Sequence, residues 1–269
     1  MDNRPVGIFD TGLGGLTAVK AFRELMPKEN IFYFGDSGRV PYGGRPREMI
    51  RKMARQDLEL VLSYDVKAVI VACGTITVAA PDVLDACELP LTGVLKAGVR
   101  AMSCVAGSAP LGEIATEASR RCGAFKNALS AACPGREIID IACPEFVPLI
   151  ESWHISADDP LLTDAVERAL RPMKQSGIAA LLLGCTHYGI IGDAISAYLG
   201  GDVQLISASE CAAKEMRDRI LSSGIAGGNG ETRFITSGHT DSFDAEASAI
   251  LGGWDVRSEY TAPMEVDEQ

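Results

Sequence analysis

The sequence predicts an α/β protein of two similar domains, each a mainly parallel sheet flanked by helices, with a shared cleft between them. Short apolar runs alternate with amphipathic helical stretches along most of the chain, which is typical of βαβ units. Two of these runs, VIVACGTITV (69–78) and LLLGCTHYGI (181–190), end in a cysteine with a threonine close behind. This internal similarity indicates two related halves, each offering one strand end to the cleft.

The alternation predicts the elements in chain order. Strands are expected at VGIFD (6–10), IFYFGD (31–36), AVIVAC (68–73), LTGVL (91–95), EIIDIAC (137–143), AALLLGC (179–185), VQLIS (203–207) and RFITSG (233–238). Helices are expected over LTAVKAFREL, MIRKMARQDLELVL, a segment from near Thr75, ASRRCGAFKNALSA after Thr116, CAAKEMRDRILSS and DSFDAEASAIL. With no central linker rich in Pro, Gly and Ser, we place the domain boundaries near Lys96 and Ser207. Residues 1–96 with 208–269 then form one domain, and residues 97–207 form the other.

Composition excludes several classes of protein. The 36 acidic and 25 basic residues give a net charge of −11, which opposes binding to a nucleic-acid backbone. The sequence lacks an apolar run of the ~18 residues that a membrane span needs, and MDNRPVGIFD does not resemble a signal peptide. We therefore expect a cytoplasmic protein that does not bind membranes. The eight cysteines show no paired spacing and no C-x-x-C, which favours reduced thiols over disulfides or zinc.

Two glycine-containing segments follow predicted strands. FDTGLGGLT (9–17) has the spacing G-x-G-G rather than that of a dinucleotide fingerprint, so a tight strand-to-helix turn is favoured over a nucleotide site. Within it, Asp10 either caps the helix or hydrogen-bonds a reacting group in the cleft. GDSGRVPYGGR (35–45) has the composition of a binding loop. There Tyr42 offers a hydroxyl, and Gly43 and Gly44 offer backbone N–H groups, to a carboxylate.

Cys73 and Cys185 are the candidates for chemistry. A single cysteine at the end of an apolar strand is usually a small buried hydrophobe. Two of them, each at a strand end where a helix begins, are set where backbone N–H groups favour a thiolate. A thiol and a thiolate that face each other can remove a proton from one face of a carbon and return one to the other face. His187 is then a proton partner for Cys185, and Glu151 holds the imidazole in one tautomer.

The remaining cysteines and histidines lack such a setting. We interpret six cysteines as structural and assign no role to two histidines: Cys87, Cys104, Cys122, Cys133, Cys143, Cys211, His154 and His239. His187 and Glu151 also have simpler interpretations, as a satisfied polar residue and a solvated helix position.

Nearly end to end, the chain resembles the bacterial glutamate racemases. The matching segments, in order, are GIFDTGLGGLT, YFGDSGRVPYGGR, VACGT, ATEASRRCGAF, CPEFVPLIE, LLLGCTHYG and RFITSGHTDSF. The resemblance implies a cytoplasmic isomerase that needs no cofactor or metal and supplies D-glutamate for peptidoglycan, and hence for cell wall biogenesis and cell shape. It also implies two α/β domains with the active site between them and assembly as a homodimer.

The resemblance further implies roles for individual residues. Cys73 is expected to remove the α-proton of D-glutamate with help from Asp10. Cys185 is expected to remove that of L-glutamate, helped by His187 and, behind it, Glu151. The residues expected to bind the substrate are Asp10, Thr11, Tyr42, Gly43, Gly74, Thr75, Thr116, Thr186 and His187.

Four positions depart from the family pattern. Gly74 replaces the usual Asn after the first cysteine, which removes a side-chain amide that would bind the substrate. Thr11 replaces Ser and keeps the hydroxyl, while Gly189 and Ser207 replace Pro and Asp. The alternatives are a racemase of another acidic amino acid, such as aspartate, and a catalytically weakened relative that binds a partner protein.

Overall fold

A computed structural model describes residues 1–263 of the chain. The strands within that range are β1 (Val6–Asp10), β2 (Ile31–Gly35), β3 (Ala68–Val71), β4 (Leu91–Gly93), β5 (Leu111–Ala115), β6 (Ile138–Ala142), β7 (Ala180–Leu183), β8 (Gln204–Ser207), β9 (Thr232–Thr236) and β10 (Ser258–Tyr260). The strands carry apolar or β-branched residues, and β1, β2, β3, β5 and β7 are buried along their whole length, as strands covered on both faces must be.

The helices alternate with these strands. They are α1 (Leu16–Leu25), α2 (Arg47–Leu62), α3 (Gly74–Ala79), α4 (Pro81–Asp85), α5 (Val94–Ser103), α6 (Glu117–Cys122), α7 (Ala124–Ala132), α8 (Phe146–Glu151), α9 (Pro160–Ser176), α10 (Gly192–Leu199), α11 (Ala208–Ser223) and α12 (Thr240–Ile250). Short 3-10 turns cover Ser37–Arg39 and Thr186–Gly189. In residues 1–263, none of the helices combines the length and apolarity of a membrane span.

The strands form two parallel sheets, which confirms the predicted fold class. The first has the order β10-β9-β2-β1-β3-β4 and the second the order β6-β5-β7-β8. One cluster of buried side chains joins the facing sides of the two sheets through α1, α5 and α11, and two others cover the outer faces. The domain boundaries near Lys96 and Ser207 stay a prediction. The strands next to them lie in the expected sheets, β4 in the first and β8 in the second.

The structure differs from the sequence prediction in several elements. The prediction named no strand at β5, although it placed Thr116 at a strand end; the run LGEIA contains Glu113. The helix expected after Thr116 is two helices, since Gly123 at φ 69° ends α6 and precedes α7. The strand expected at 91–95 stops at Gly93, where α5 begins. α5, α8, α9, α10 and β10 were not predicted.

Candidate active site

The carboxyl ends of strands from both sheets open into one cavity of about 500 Å³, a size usual for small-molecule sites. The structure places all the sequence-predicted site residues in its wall: Asp10, Thr11, Tyr42, Gly43, Cys73, Gly74, Thr75, Thr116, Glu151, Cys185, Thr186 and His187. The site therefore lies between the two sheets, where parallel α/β folds bind ligands. The roles of these residues stay predictions.

In the first half of the site, Cys73 lies between β3 and α3 and is 5% exposed. Burial raises the pKa of its thiol well above the usual range, and the neighbouring Asp10 raises it further. Asp10 ends β1 and is itself buried, which raises the pKa of its carboxyl. The Cys73 thiol is thus held in its protonated form, as a proton donor requires.

In the second half, Cys185 precedes the 3-10 turn that carries His187. The Cys185 Sγ and His187 Nδ1 atoms are 3.9 Å apart, and His187 Nε2 is 3.4 Å from Glu151 Oε1. Burial lowers the pKa of His187, but the contacts with Cys185 and Glu151 outweigh it and raise the pKa to about 10. The imidazole therefore carries a positive charge at neutral pH, 3.9 Å from the Cys185 sulfur.

The two halves are joined directly by hydrogen bonds. The Thr186 hydroxyl donates to Asp10 Oδ2 at 2.8 Å, and Thr11 N–H donates to Asp10 Oδ1 at 2.6 Å. The Thr75 and Thr116 hydroxyls lie 3.4 Å apart across the cavity. Asp10 is thus held by residues of both halves, which fixes its carboxylate beside the Cys73 thiol.

Tyr42 lines the cavity, but its hydroxyl is hydrogen-bonded to other protein residues. The hydroxyl lies between two buried carboxylates, donating to Asp36 Oδ2 or, at 3.0 Å, to Asp57 Oδ2. Arg39 binds the same two carboxylates through Nε and Nη2, each at 2.6 Å. The hydroxyl that the sequence offered to a substrate carboxylate is therefore engaged in holding the loop, while Gly43 and Gly44 still line the cavity.

Gly74 lies against the backbone of the other half of the site. A Cβ atom built on Gly74 would be 2.3 Å from the carbonyl oxygen of Gly184, a distance that real contacts do not reach. The Asn usual at this position in the glutamate racemases therefore does not fit this chain without a shift of backbone. Glycine at position 74 thus allows the segment after Cys73 to lie close to the segment before Cys185.

Several residues of the cavity wall were not predicted from the sequence. Ser119 is 2% exposed, and its N–H donates to the Thr116 hydroxyl, so the helix-capping spacing T-x-x-S was an available signal. Cys143 also lies in the wall, although we interpreted it as structural; like Cys73 and Cys185, it follows a strand. Apolar side chains of Pro144, Val147 and Pro148 complete this side, and no pattern in the sequence marked them.

Comparisons with known proteins agree with this architecture. The sequence pattern of the family described as Asp/Glu/Hydantoin racemase matches residues 17–216. The glutamate racemase of Chlorobaculum tepidum is 39% identical over 223 residues, or 82% of this chain and 81% of that protein. That of Thermoanaerobacter pseudethanolicus is 35% identical over 254 residues, or 94% and 95%.

A solved structure extends the likeness to three dimensions. The crystal structure of glutamate racemase from Francisella tularensis in complex with D-glutamate has a TM-score of 0.89 and 33% identity, and covers 97% of this chain and 98% of that one. The fold and site thus define an α/β isomerase that racemises amino acids. The chain belongs to the Asp/Glu/Hydantoin racemase family.

Proposed function

We propose that the protein is a glutamate racemase, which interconverts L- and D-glutamate through Cys73 and Cys185 and supplies D-glutamate for peptidoglycan synthesis. One observation carries the proposal. Two buried thiols, from strand ends of different sheets, line one cavity, and each has its own polar partner, Asp10 or His187. The glutamate racemases of 35–39% identity and the related structure in complex with D-glutamate support glutamate as the substrate.

The reaction is a proton transfer in two steps. The Cys185 thiolate, whose negative charge is balanced by protonated His187, removes the α-proton of L-glutamate and leaves a carbanion. The Cys73 thiol then donates its proton to the opposite face of the same carbon, which forms D-glutamate and leaves Cys73 as a thiolate beside Asp10. The reverse reaction begins at Cys73 and ends at Cys185.

The cavity offers glutamate hydrogen-bond donors rather than a basic side chain. Apart from His187, no cationic residue is found among the residues of 1–263 that line it. The hydroxyls of Thr11, Thr75 and Thr116 line the cavity as donors for the substrate carboxylates, whereas the Thr186 hydroxyl already donates to Asp10. A hydrogen bond to a charged group contributes about 1.5–3 kcal/mol, so these hydroxyls offset part of the loss of the amide that Gly74 lacks.

Exchange of the α-hydrogen in deuterated buffer tests the proposal, with L- and D-glutamate supplied separately and proton NMR as the readout. The unmodified protein should exchange and racemise both enantiomers. Cys73→Ala and Cys185→Ala should each abolish racemisation, while Cys211→Ala, a cysteine outside the cavity, should leave it unchanged. Racemisation that survives either active-site substitution would contradict the two-thiol mechanism.

Gly74 favours one alternative, a racemase of another acidic amino acid. No exchange with glutamate at millimolar concentration, together with exchange of aspartate, would establish that alternative. A protein inactive on both amino acids would instead favour the partner-binding relative. The homodimer stays a prediction, which analytical ultracentrifugation measures directly.

A further inference from the structure

Glu113 is a buried acid that the proposed reaction does not use. It lies in the middle of β5, inside the second sheet, with 0% of its surface exposed. Neither carboxyl oxygen has a conventional donor among residues 1–263, and the same is true of Asp140 Oδ1. In the β5–β6 register Glu113 is paired with Asp140, so the two acids lie side by side on one face of the sheet.

Such a pair holds a proton, because two adjacent buried carboxylates without a cation between them cannot both ionise. Burial raises the pKa of Glu113 well above the usual range, and the hydrogen bond and charge of Asp140 raise it further. Arg120 lies on the Asp140 side of the pair: its Nε is 3.7 Å from Asp140 Oδ2 and donates to the Asp140 carbonyl at 3.3 Å. Glu113 is therefore the protonated partner and donates to Asp140.

The other titratable groups that face Glu113 lie in the cavity wall or next to a residue of it. Its charge acts on Cys143 after β6 and on Tyr188 in the 3-10 turn after β7, and Arg120 on α6 opposes it. A carboxylate at Glu113 would add negative charge next to the segment in which Cys185 must itself become negative. A neutral Glu113 avoids that repulsion.

Glu113 also touches the backbone that carries the thiols. A Cβ atom on Gly184 would be 2.5 Å from Glu113 Oε1, so the carboxyl lies directly against Gly184, the residue before Cys185. The Gly184 carbonyl in turn lies against Gly74, the residue after Cys73. The contacts thus run from Glu113 through Gly184 to Gly74 and span the two segments whose separation sets the distance between the thiols.

We propose that Glu113 is a positioning residue: as a carboxylic acid hydrogen-bonded to Asp140, it supports Gly184 and sets the position of Cys185 relative to Cys73. This role rests on the proposed racemisation. It requires a neutral side chain of the size of Glu that donates a hydrogen bond to Asp140, so Gln should replace it and Ala should not.

Two readouts test the proposal. The infrared difference spectrum between the unmodified protein and Glu113→Gln at neutral pH should contain the carbonyl stretch of a protonated carboxylic acid, and the difference spectrum for Glu137→Gln, a control acid exposed next to β6, should not. Racemisation rates with α-deuterated substrates should show that Glu113→Gln stays within about threefold of the unmodified protein. Glu113→Ala should lose roughly ten- to hundredfold, the scale of a misplaced reacting group.

The isotope effects distinguish positioning from simple loss of stability. If Cys185 is displaced, proton removal from L-glutamate becomes more rate-limiting in Glu113→Ala. The isotope effect should then rise for α-deuterated L-glutamate and fall for α-deuterated D-glutamate. If Glu113→Ala does not fold, Glu113→Leu is the second test variant, because Leu keeps the bulk of the side chain but cannot hydrogen-bond Asp140.

Three outcomes would overturn the proposal. An active protein without the carboxylic-acid band, or unchanged isotope effects in both directions for Glu113→Ala, would overturn the role of Glu113 alone. An unmodified protein that shows the band but does not racemise glutamate would instead overturn the proposed function, and this role with it.

Discussion

Gly14 shows how a single residue couples the two halves of the site. A Cβ atom at Gly14 would be 2.4 Å from Thr186 Oγ1 and 2.5 Å from His187 Nδ1. The missing side chain therefore leaves room for the imidazole beside Cys185 and for the hydroxyl that donates to Asp10. This close approach is a packing reason for one of the glycines of FDTGLGG.

We expect Gly14→Ala to lower kcat at least tenfold, because it pushes the His187 and Thr186 side chains away from their partners, and small displacements of catalytic groups cost this much. Gly192→Ala is the matched control, since a Cβ atom at Gly192 meets nothing within 4 Å. Circular dichroism of the racemising glutamate measures both variants. Equal activity of the two would contradict the packing role of Gly14.

The pKa of His187 predicts how stability depends on pH. The folded protein raises the pKa from 6.5 to about 10, so its interactions with the imidazolium stabilise the fold fully below pH ~6.5. That contribution should decline as the pH rises above 6.5 and be absent beyond pH ~10. We expect the free energy of unfolding in urea to fall more steeply over this range for the unmodified protein than for His187→Gln. Parallel curves for the two proteins would contradict the prediction.

At the scale of elements, a buried ionic network fastens the loop after β2 to α2. Asp36 and Asp57 are both buried, Arg39 bridges them, and the Ser237 hydroxyl donates to Asp36 Oδ1 at 2.6 Å. The network binds the hydroxyl of Tyr42, which lies in the loop that lines the cavity. The fit of this loop to the substrate thus depends on a cluster that does not touch the substrate.

Replacement of Arg39 should lower the free energy of unfolding, because Asp36 and Asp57 are buried together with it. Arg39→Met leaves two buried aspartates without their cation, and breaking a buried pair in this way costs about 3–5 kcal/mol. Arg51→Met on α2 is the control, since its ion pairs with Glu48 and Asp82 are at the surface and such pairs contribute about 0–1 kcal/mol. Urea unfolding measures both, and similar losses would contradict the prediction. KM for glutamate should rise in Arg39→Met only.

At the scale of the whole molecule, a buried lysine ties the returning chain to the first sheet. Lys67 Nζ donates to the carbonyl oxygens of Asp2, Ile225 and Gly227 and lies 2.6 Å from Glu29 Oε2. The segment after α11 is thereby held at the amino ends of the strands, opposite the cavity. From there it enters β9, next to β2.

Lys67→Met should therefore destabilise the protein without altering the site. It leaves Glu29 buried and unpaired, and we expect a loss of about 3–5 kcal/mol in the free energy of unfolding. KM for glutamate should be unchanged in the folded fraction, because the lysine is at the far end of the sheet. Lys96→Met, which removes an exposed ion pair with Asp85, is the control and should change stability by less than about 1 kcal/mol. A changed KM would contradict this separation of stability and function.

The sequence by itself determined the alternation of strands and helices and the strand ends that carry Cys73 and Cys185. These features are local, since apolar runs and capping residues act within one element. The predicted site residues also share one cavity, because carboxyl ends of parallel strands converge. Thr11 and Thr186 were predicted as substrate-binding residues from the family resemblance and not from a local pattern.

Only the tertiary structure decided which distant residues touch. It turned the Tyr42 hydroxyl toward Asp36 and Asp57, and it brought Ser119 and Cys143 into the cavity wall. It also made LGEIA a central strand despite Glu113, because Asp140 on the neighbouring strand supplies a partner for the acid. Burial, shared protons and close backbone contacts arise between residues far apart in the chain, so no local pattern encodes them.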